Sequence, residues 1–480
     1  MHSYKAHSHS CATARLISLC SIYELILMVS KQCDVSFLLQ KLDNLEEIDL
    51  DYSKDLIEIP DLSRAPKLKV VLLSFCESLI QLHPSIFTAP KLRCLRLKGC
   101  KNIESLKTNI CSKSLRILDL TDCSSLVEFS MMSEEMAELS LRNTAIHEIP
   151  SSIWCKSSDR IDPSRLDLSR CANLNIVWNR LSNDLMVLEL TGCLQINTSI
   201  LWLILDELRS LIELNLSECF NLEALPENIQ NNSKLEVLNL NHCWKLKFLP
   251  KLPASLTELS AINCPYLDID SIQRPMLENI LHKLHTTDSE ENRWHDINFG
   301  FTFLPGNHVP HEFDYFTRES SIVIPLDPEC NLSALIFCFI LSGRDGSYYH
   351  SLCCNFNQNG KIIFDWDEVV RAEMFTGDHV LLSCIIEIWD FEMLDYESDH
   401  CNISCEFMCR ANEEEEWSTD GIKGCGVHPV YSLDHSLGLD GRSRDETVEL
   451  QSGAQSPNVS DQHLNIYINK LRHPTKRKRT

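Results

Sequence analysis

The chain has 480 residues, enough for about three domains. Hydrophobic residues make up 44% and charged residues 23%, a globular composition that excludes a mostly disordered chain. Lys and Arg number 44 against 68 Asp and Glu, and the net charge of −24 excludes a general nucleic-acid binder, which needs a basic face to displace counterions. No stretch reaches the roughly 18 uninterrupted apolar residues of a membrane span. The longest candidate, Leu16 to Val29, is broken by Ser18, Ser21 and Glu24. The His-rich start offers neither the basic segment nor the small-residue cleavage site of a signal peptide, so a cytoplasmic protein is expected.

Residues 1–21 read as an N-terminal remnant, and a repeat begins near Ile22. Cys76, Cys100, Cys123, Cys171, Cys193, Cys219, Cys243 and Cys264 are separated by 24, 23, 48, 22, 26, 24 and 21 residues. The 48 is two steps, with Thr144 in the missing place, and stepping backwards reaches Ser53 and Ser30. Each of these positions closes the phrase L-x-x-L-x-L-x-x-C, as in Leu115 to Cys123 and Leu235 to Cys243. Alternation in Leu118-Asp119-Leu120 is a short strand with leucines inward. A second apolar group ending in Pro60, Pro150, Pro226 or Pro250 turns the chain back along the convex side. One unit cannot bury its leucines alone, but stacked units share a core. The expected fold over 22–269 is therefore an α/β leucine-rich-repeat solenoid, a horseshoe with a parallel β-sheet of about ten or eleven units. Stacked thiols lie within disulfide reach of one another, which suits a reducing compartment. Five N-x-S/T triplets, at Asn197, Asn231, Asn331, Asn402 and Asn458, point the other way but arise easily by chance.

Beyond Cys264 the period stops. Residues 270–298 carry helical spacing (Ile272, Met276, Leu277, Ile280) and read as a connector. Residues 299–432 read as an all-β sandwich, from strands at Ser321–Pro325, Ala334–Leu341, Lys361–Phe364, Val380–Trp389 and Cys401–Cys409. Residues 433–480 read as a disordered tail ending in Lys476, Arg477, Lys478 and Arg479, a candidate nuclear-import signal.

These features resemble one family. Repeats closed by Cys, with phrases such as Leu45-Glu-Glu-Ile-Asp-Leu50 and Ile57-Glu-Ile-Pro-Asp-Leu-Ser63, look like those of the plant Toll/interleukin-receptor-type nucleotide-binding leucine-rich-repeat disease-resistance proteins. Pro305-Gly306-x-x-Val309-Pro310-x-x-Phe313 resembles the opening of their C-terminal jelly-roll/Ig-like domain, with Glu312 where an aromatic is usual. Gly377 to Val380 and Ile422 to Tyr431 resemble its later strands. The chain departs from the family at its front: the Toll-type domain and the nucleotide-binding switch, with its G-x-x-x-x-G-K-S/T loop, are not found. The resemblance implies a ligand-sensing part that recognises a pathogen effector or a guarded host protein, as a truncated, adaptor or decoy form. It also implies a complete receptor of the same family as a further partner. An extracellular leucine-rich-repeat receptor or an enzyme-inhibitor-type binding protein is the alternative reading.

No catalytic, cofactor or metal site is expected, and the chain reads as a non-enzyme. His311-Glu312 lacks the second His of H-E-x-x-H, Tyr315 standing there. Cys401, Cys405 and Cys409 share a strand face with Ile403 and Phe407 and read as core, and His2, His7 and His9 as exposed terminal residues. Asp365, Asp367 and Glu368 read as a solvated loop. Partner contact is expected from the outward residues of the repeat strands. These form two columns, one including Asp49, Arg96, Asp119, Asp167 and Glu189, the other Glu47, Glu138, Arg165, Glu213 and Glu258. A concave face dominated by one sign steers an oppositely charged, here basic, partner.

Overall fold

In a computed structural model, residues 43–146, 164–171, 184–268, 301–311, 313–326, 331–343, 351–368, 377–385, 402–410 and 415–432 are described. The remnant 1–21, the first repeat units, the connector 270–298, His2, His7, His9, Glu312, Cys401 and the basic run Lys476–Arg479 lie outside them. The chain divides into two compact units, one of Met1–Gln195 with Asp206–Leu211, the other of Ile196–Leu205 with Ile212–Thr480.

In the first unit the leucine phrases become three-residue strands: Glu47–Asp49, Val70–Leu72, Cys94–Arg96, Ile117–Asp119, Glu138–Ser140, Arg165–Asp167 and Val187–Glu189. All pair in parallel, residue for residue, without slippage. The middle residue of each strand (Ile48, Val71, Leu95, Leu118, Leu139, Leu166, Leu188) is buried. Each such burial removes an apolar side chain from water, worth about 1.5–3 kcal/mol. A register slip by one residue would expose the whole row, which is why the register is uniform.

The turn after each strand is built the same way. Cys Sγ donates to the carbonyl of the preceding repeat: Cys76 to Leu50 O, Cys100 to Leu73 O and Cys123 to Leu97 O, each at 3.1 Å. Cys171 reaches Leu141 O at 3.0 Å, and Thr144 takes the place in its own repeat by donating to Leu141 O at 2.8 Å. The closing residue thus satisfies a carbonyl left over where the chain leaves the sheet, as any small donor can. The residue just before it takes the left-handed conformation in every described repeat of the unit: Tyr52, Phe75, Gly99, Asp122, Asn143, Arg170 and Gly192, with φ from 55° to 73°. For a residue with a β-carbon this costs roughly 1–2 kcal/mol, offset here because its N–H bonds across the ladder, as Asn143 does to Ser169 O at 2.8 Å. At Gly99 a β-carbon would also sit 2.6 Å from the Phe75 ring, which is itself stacked on Tyr52 at 5.0 Å. Gly99→Ala is therefore expected to lower unfolding free energy by about 1–2 kcal/mol. Equilibrium urea unfolding measures this, and a stabilised variant would contradict it.

The segments that return the chain between strands carry little helix. Helices are few: among the described residues of the repeats, Ser85–Thr88 and Thr198–Glu207 are the α-helical segments. Short parallel pairings hold the return segments instead, Ser105–Leu106 with Glu128–Phe129 and Cys111–Ser112 with Met132–Ser133. Steps of 21 to 24 residues leave little chain for a helix and the prolines stop one from growing, whereas the 26-residue step from Cys193 to Cys219 accommodates Thr198–Glu207.

The second unit contains the last three repeat strands, Glu213–Asn215, Val237–Asn239 and Glu258–Ser260, again parallel. Phe301–Pro305 then adds to the open edge of Glu258–Ser260 in parallel, matching Leu259 with Thr302 and Ser260 with Phe303. From there the pairing becomes antiparallel, running through His379–Ile385, Asn331–Leu341, Ile422–Ser432 and Tyr315–Thr317. A separate sheet orders Ser321–Pro325, Asn402–Arg410, Ser351–Gln358 and Lys361–Glu368. The two sheets bury Phe337, Phe339, Phe356 and Phe407 against one another, with Ile403, Cys405 and Cys409 on the inward face of their strand. Asp365, Asp367 and Glu368, expected in a loop, belong to the strand Lys361–Glu368 because its pairing with Ser351–Gln358 continues through them.

The motif at Pro305 to Phe313 and the one at Ile422 to Tyr431 meet at Gly426. A β-carbon there would lie 2.5 Å from Val309 Cγ1 and 3.0 Å from Phe313 Cδ1, so the opening segment packs directly on bare backbone.

Candidate recognition surface

The two columns exist as the strand spacing requires. In the first unit Glu47, Val70, Cys94, Ile117, Glu138, Arg165 and Val187 stand in one row, and Asp49, Leu72, Arg96, Asp119, Ser140, Asp167 and Glu189 in the other. In the second unit Glu213, Val237 and Glu258 align, with Asn215, Asn239 and Ser260 beside them. Burial and neighbouring charge push the Glu258 carboxyl above its ordinary range, Glu213 being the like charge across Val237.

The acids of these rows are not equivalent. Glu47, Asp49, Arg96 and Glu138 are exposed, whereas Asp119, Asp167, Glu189 and Glu213 are half-buried. Asp49 Oδ1 accepts from Asp51 N at 3.1 Å, Asp119 Oδ1 from Thr121 N at 3.0 Å and Asp167 Oδ1 from Ser169 N at 2.9 Å. Asn215 and Asn239 hold Ser217 N and Asn241 N in the same way, each at 3.0 Å. These side chains close the turn two residues on, a local role that Asp and Asn fill alike. Glu189 is engaged as well, taking Arg165 Nη2 at 2.8 Å across the adjacent strand. Among the described residues Glu47 and Glu138 make no ion pair, so they are the acids of the first unit's rows most open to a partner.

The first unit carries a second polar feature beside the strand rows. Lys98, Thr121, Asp122, Arg142, Asn143, Asp167 and Arg170 line a polar depression at the turns that follow the strands. Lys98 and Arg142 each stand two places before the closing Cys or Thr, and Arg170 one place before. Lys98 and Arg142 share an offset in the repeat, but the strand period carries no sign that the turns bring them to one depression.

In the second unit His379 is buried at the junction of the last repeat with the sandwich. Its Nε2 accepts the Asn263 N–H at 3.1 Å and its Nδ1 lies 3.0 Å from Gly377 O, an arrangement that fits the neutral ring with the proton on Nδ1. Burial lowers its pKa to about 4, with nearby His242 acting the same way and Asp378 opposing. The adjacent Asp378 is pinned by Lys423 Nζ at 2.7 Å and 2.9 Å.

The cysteines of the ladder are chemically quiet. Burial pushes the Cys76 thiol up to about 11 and those of Cys100 and Cys264 up to about 12, so thiolate is scarce at neutral pH. Among the described residues no group of three or more His, Cys, Asp or Glu is placed to hold a metal ion. No helix among them is long and apolar enough to cross a membrane.

No protein-family model matches the sequence. Similar proteins are nonetheless found in plants. Disease resistance protein RPP5 of Arabidopsis thaliana is 34% identical over 383 residues, 78% of this chain and 23% of that protein. Disease resistance protein RPP4 of the same plant is 41% identical over 189 residues, 39% of this chain and 16% of its own length. Protein SUPPRESSOR OF npr1-1, CONSTITUTIVE 1, also of Arabidopsis thaliana, is 36% identical over 142 residues, 29% of this chain and 10% of its own length. The chain therefore spans a quarter or less of each of these three relatives. Among solved structures, a leucine-rich-repeat protein of Leptospira interrogans aligns over 49% of this chain and 64% of its own at 18% identity and a TM-score of 0.30, too loose to bear on function.

Proposed function

We propose, for a chain homologous over most of its length to plant Toll/interleukin-receptor-type nucleotide-binding leucine-rich-repeat disease-resistance proteins, that it is a recognition module of plant defence. Its repeats and sandwich bind a protein, a pathogen effector or a host protein that an effector targets, and the chain carries no catalysis of its own. The observation that supports this most is the uniform strand register, which sets side chains of successive repeats in rows that neighbouring turns leave open at Glu47, Arg96 and Glu138. Such a row offers contacts spaced about 4.8 Å apart, suited to a protein surface rather than to a small molecule. A cytoplasmic setting is supported by the stacked, buried thiols of the ladder, since an oxidising lumen would favour their cross-linking. Association with a complete receptor, and nuclear entry through Lys476–Arg479, are further parts of the same reading.

The test is a double charge reversal, Glu47→Lys with Glu138→Lys, in the full chain. Both residues are exposed, so stability should change by less than about 0.5 kcal/mol. Binding to a panel of pathogen-secreted proteins, measured by surface plasmon resonance, is expected to fall at least roughly tenfold for whichever member the wild type binds. Undiminished binding by a folded double variant would remove the strand face from the proposal.

A further inference from the structure

We infer that the depression lined by Lys98, Arg142 and Arg170 is an anion-accepting site, and that it takes the carboxylates of an acidic segment in the protein partner. This deepens the recognition reading above and rests on it. Three cations from three repeats surround the depression together with two acids, Asp122 and Asp167. The acids are turned to the chain's own donors. Asp122 Oδ1 accepts Asn143 Nδ2 at 2.9 Å. Asp167 uses Oδ1 for Ser169 N at 2.9 Å and Oδ2 for Ser140 Oγ at 3.5 Å. Lys98 and Arg142 have no such engagement: among the described residues neither has an ion-pair partner, although carboxylates share the depression with them. Lys98 Nζ lies 5.9 Å from the centre of the Phe75 ring, a contact that leaves its hydrogen-bond donors available.

The positions of these cations are fixed by the fold. Lys98 and Arg142 belong to turns whose backbone is tied across the ladder, with Gly99 N on Thr121 O at 2.7 Å and Asp122 N on Arg142 O at 2.9 Å. Arg170 stands in the left-handed position of the next turn, with φ of 59°. Rigid main chain beneath half-buried Lys98 and Arg142 reduces the ordering cost of capturing an anion. Arg142 supplies the planar fork that matches a carboxylate, and Lys98 a point charge. A peptide carboxylate is favoured over a phosphate polymer because the chain as a whole carries −24 and would repel a long polyanion. An acidic segment of a few residues meets the local cations without that penalty.

The experiment uses the full chain and a fluorescein-labelled hexaglutamate peptide, read by anisotropy at 50 mM and 200 mM salt. A single-stranded oligonucleotide and inorganic phosphate serve as competitors. Wild type is expected to bind the peptide, more weakly at the higher salt, and Lys98→Gln with Arg142→Gln to lose at least roughly tenfold in affinity. Arg142→Lys should recover part of the loss in the Arg142 single variant, because charge is kept while the fork is lost. Thermal melting of each variant checks that the repeats remain folded. A peptide that binds the double variant as tightly as wild type, or fails to bind wild type, overturns the site. So does preferential capture of the oligonucleotide or of phosphate, which would assign the cations to phosphate instead. The Glu47→Lys/Glu138→Lys chain is measured in parallel. If it loses the partner protein while the cation variants do not, recognition stands and the acidic-segment inference falls.

Discussion

Phe303→Ala is expected to destabilise the second unit by about 3–5 kcal/mol, the usual cost of emptying a fully buried aromatic site. The ring shares the sandwich core with Ile262 of the last repeat and with Phe337 and Phe339. It also packs against His379, with ring centroids 5.6 Å apart. Its main chain is engaged too, since Phe303 O accepts the Ala261 N–H at 2.8 Å. The substitution therefore opens a cavity where the repeat core and the sandwich core are continuous, and the backbone around it cannot collapse freely. Phe301→Ala, two residues earlier and only partly buried, should lose distinctly less. Urea unfolding of the two variants side by side makes the measurement. A loss under about 1 kcal/mol at Phe303 would show that the two cores do not depend on each other.

The second large effect is in the acid range. His379 is neutral in the folded chain, with a pKa of about 4 against 6.5 for the free side chain. Because the folded pKa is the lower one, the unfolded chain binds the proton more readily. The stabilisation is full above pH 6.5 and is lost as pH falls from 6.5 towards 4, amounting to about 3 kcal/mol at the lower end. Protonated Nε2 would face the Asn263 N–H, donor against donor, which is the structural form of the same cost. Unfolding free energies measured at half-unit steps from pH 7.5 to pH 4 check this when wild type is compared with His379→Gln. Carboxylates that titrate in both proteins cancel in the difference. The variant should be less stable near pH 7 and close the gap as pH falls. Parallel curves would mean that His379 takes up its proton in the folded chain as readily as in the unfolded one, which a ring open to solvent would do.

The leucine spacing made the repeat strands legible because covalent geometry ties sequence period to strand register. The two columns followed from the same rule. What each column residue does was less legible. Asp119 and Asp167 read as solvent-facing charges, yet their carboxylates hold the N–H of Thr121 and Ser169. That role depends on the turn conformation, which the strand period does not encode. Nor did residue type reveal the turn itself. Tyr52, Phe75, Arg170 and Glu218 adopt positive φ without the glycine or asparagine that would mark it. The bonds that offset the strain run to the next repeat, more than 20 residues away. In the sandwich, Ser351–Gln358 does not read as a strand in the sequence because Asn355, Asn357 and Gln358 interrupt its apolar run, although Gln358 is buried in the fold.

The parallel addition of Phe301–Pro305 to Glu258–Ser260 has an implication for how such chains tolerate change. A stacked array of strands otherwise finishes in a row of unanswered amide and carbonyl groups, an adhesive border that recruits strands from other molecules. Here the border is handed to a strand that is itself closed off on its far side by His379–Ile385. A chain cut back to residue 268 would keep its leucine core and yet bare that border, and self-association rather than unfolding would be its characteristic failure. Surface loops of the sandwich that pair with no strand can vary more freely. Phe301–Pro305 has no such freedom, because it serves as the lid on someone else's sheet.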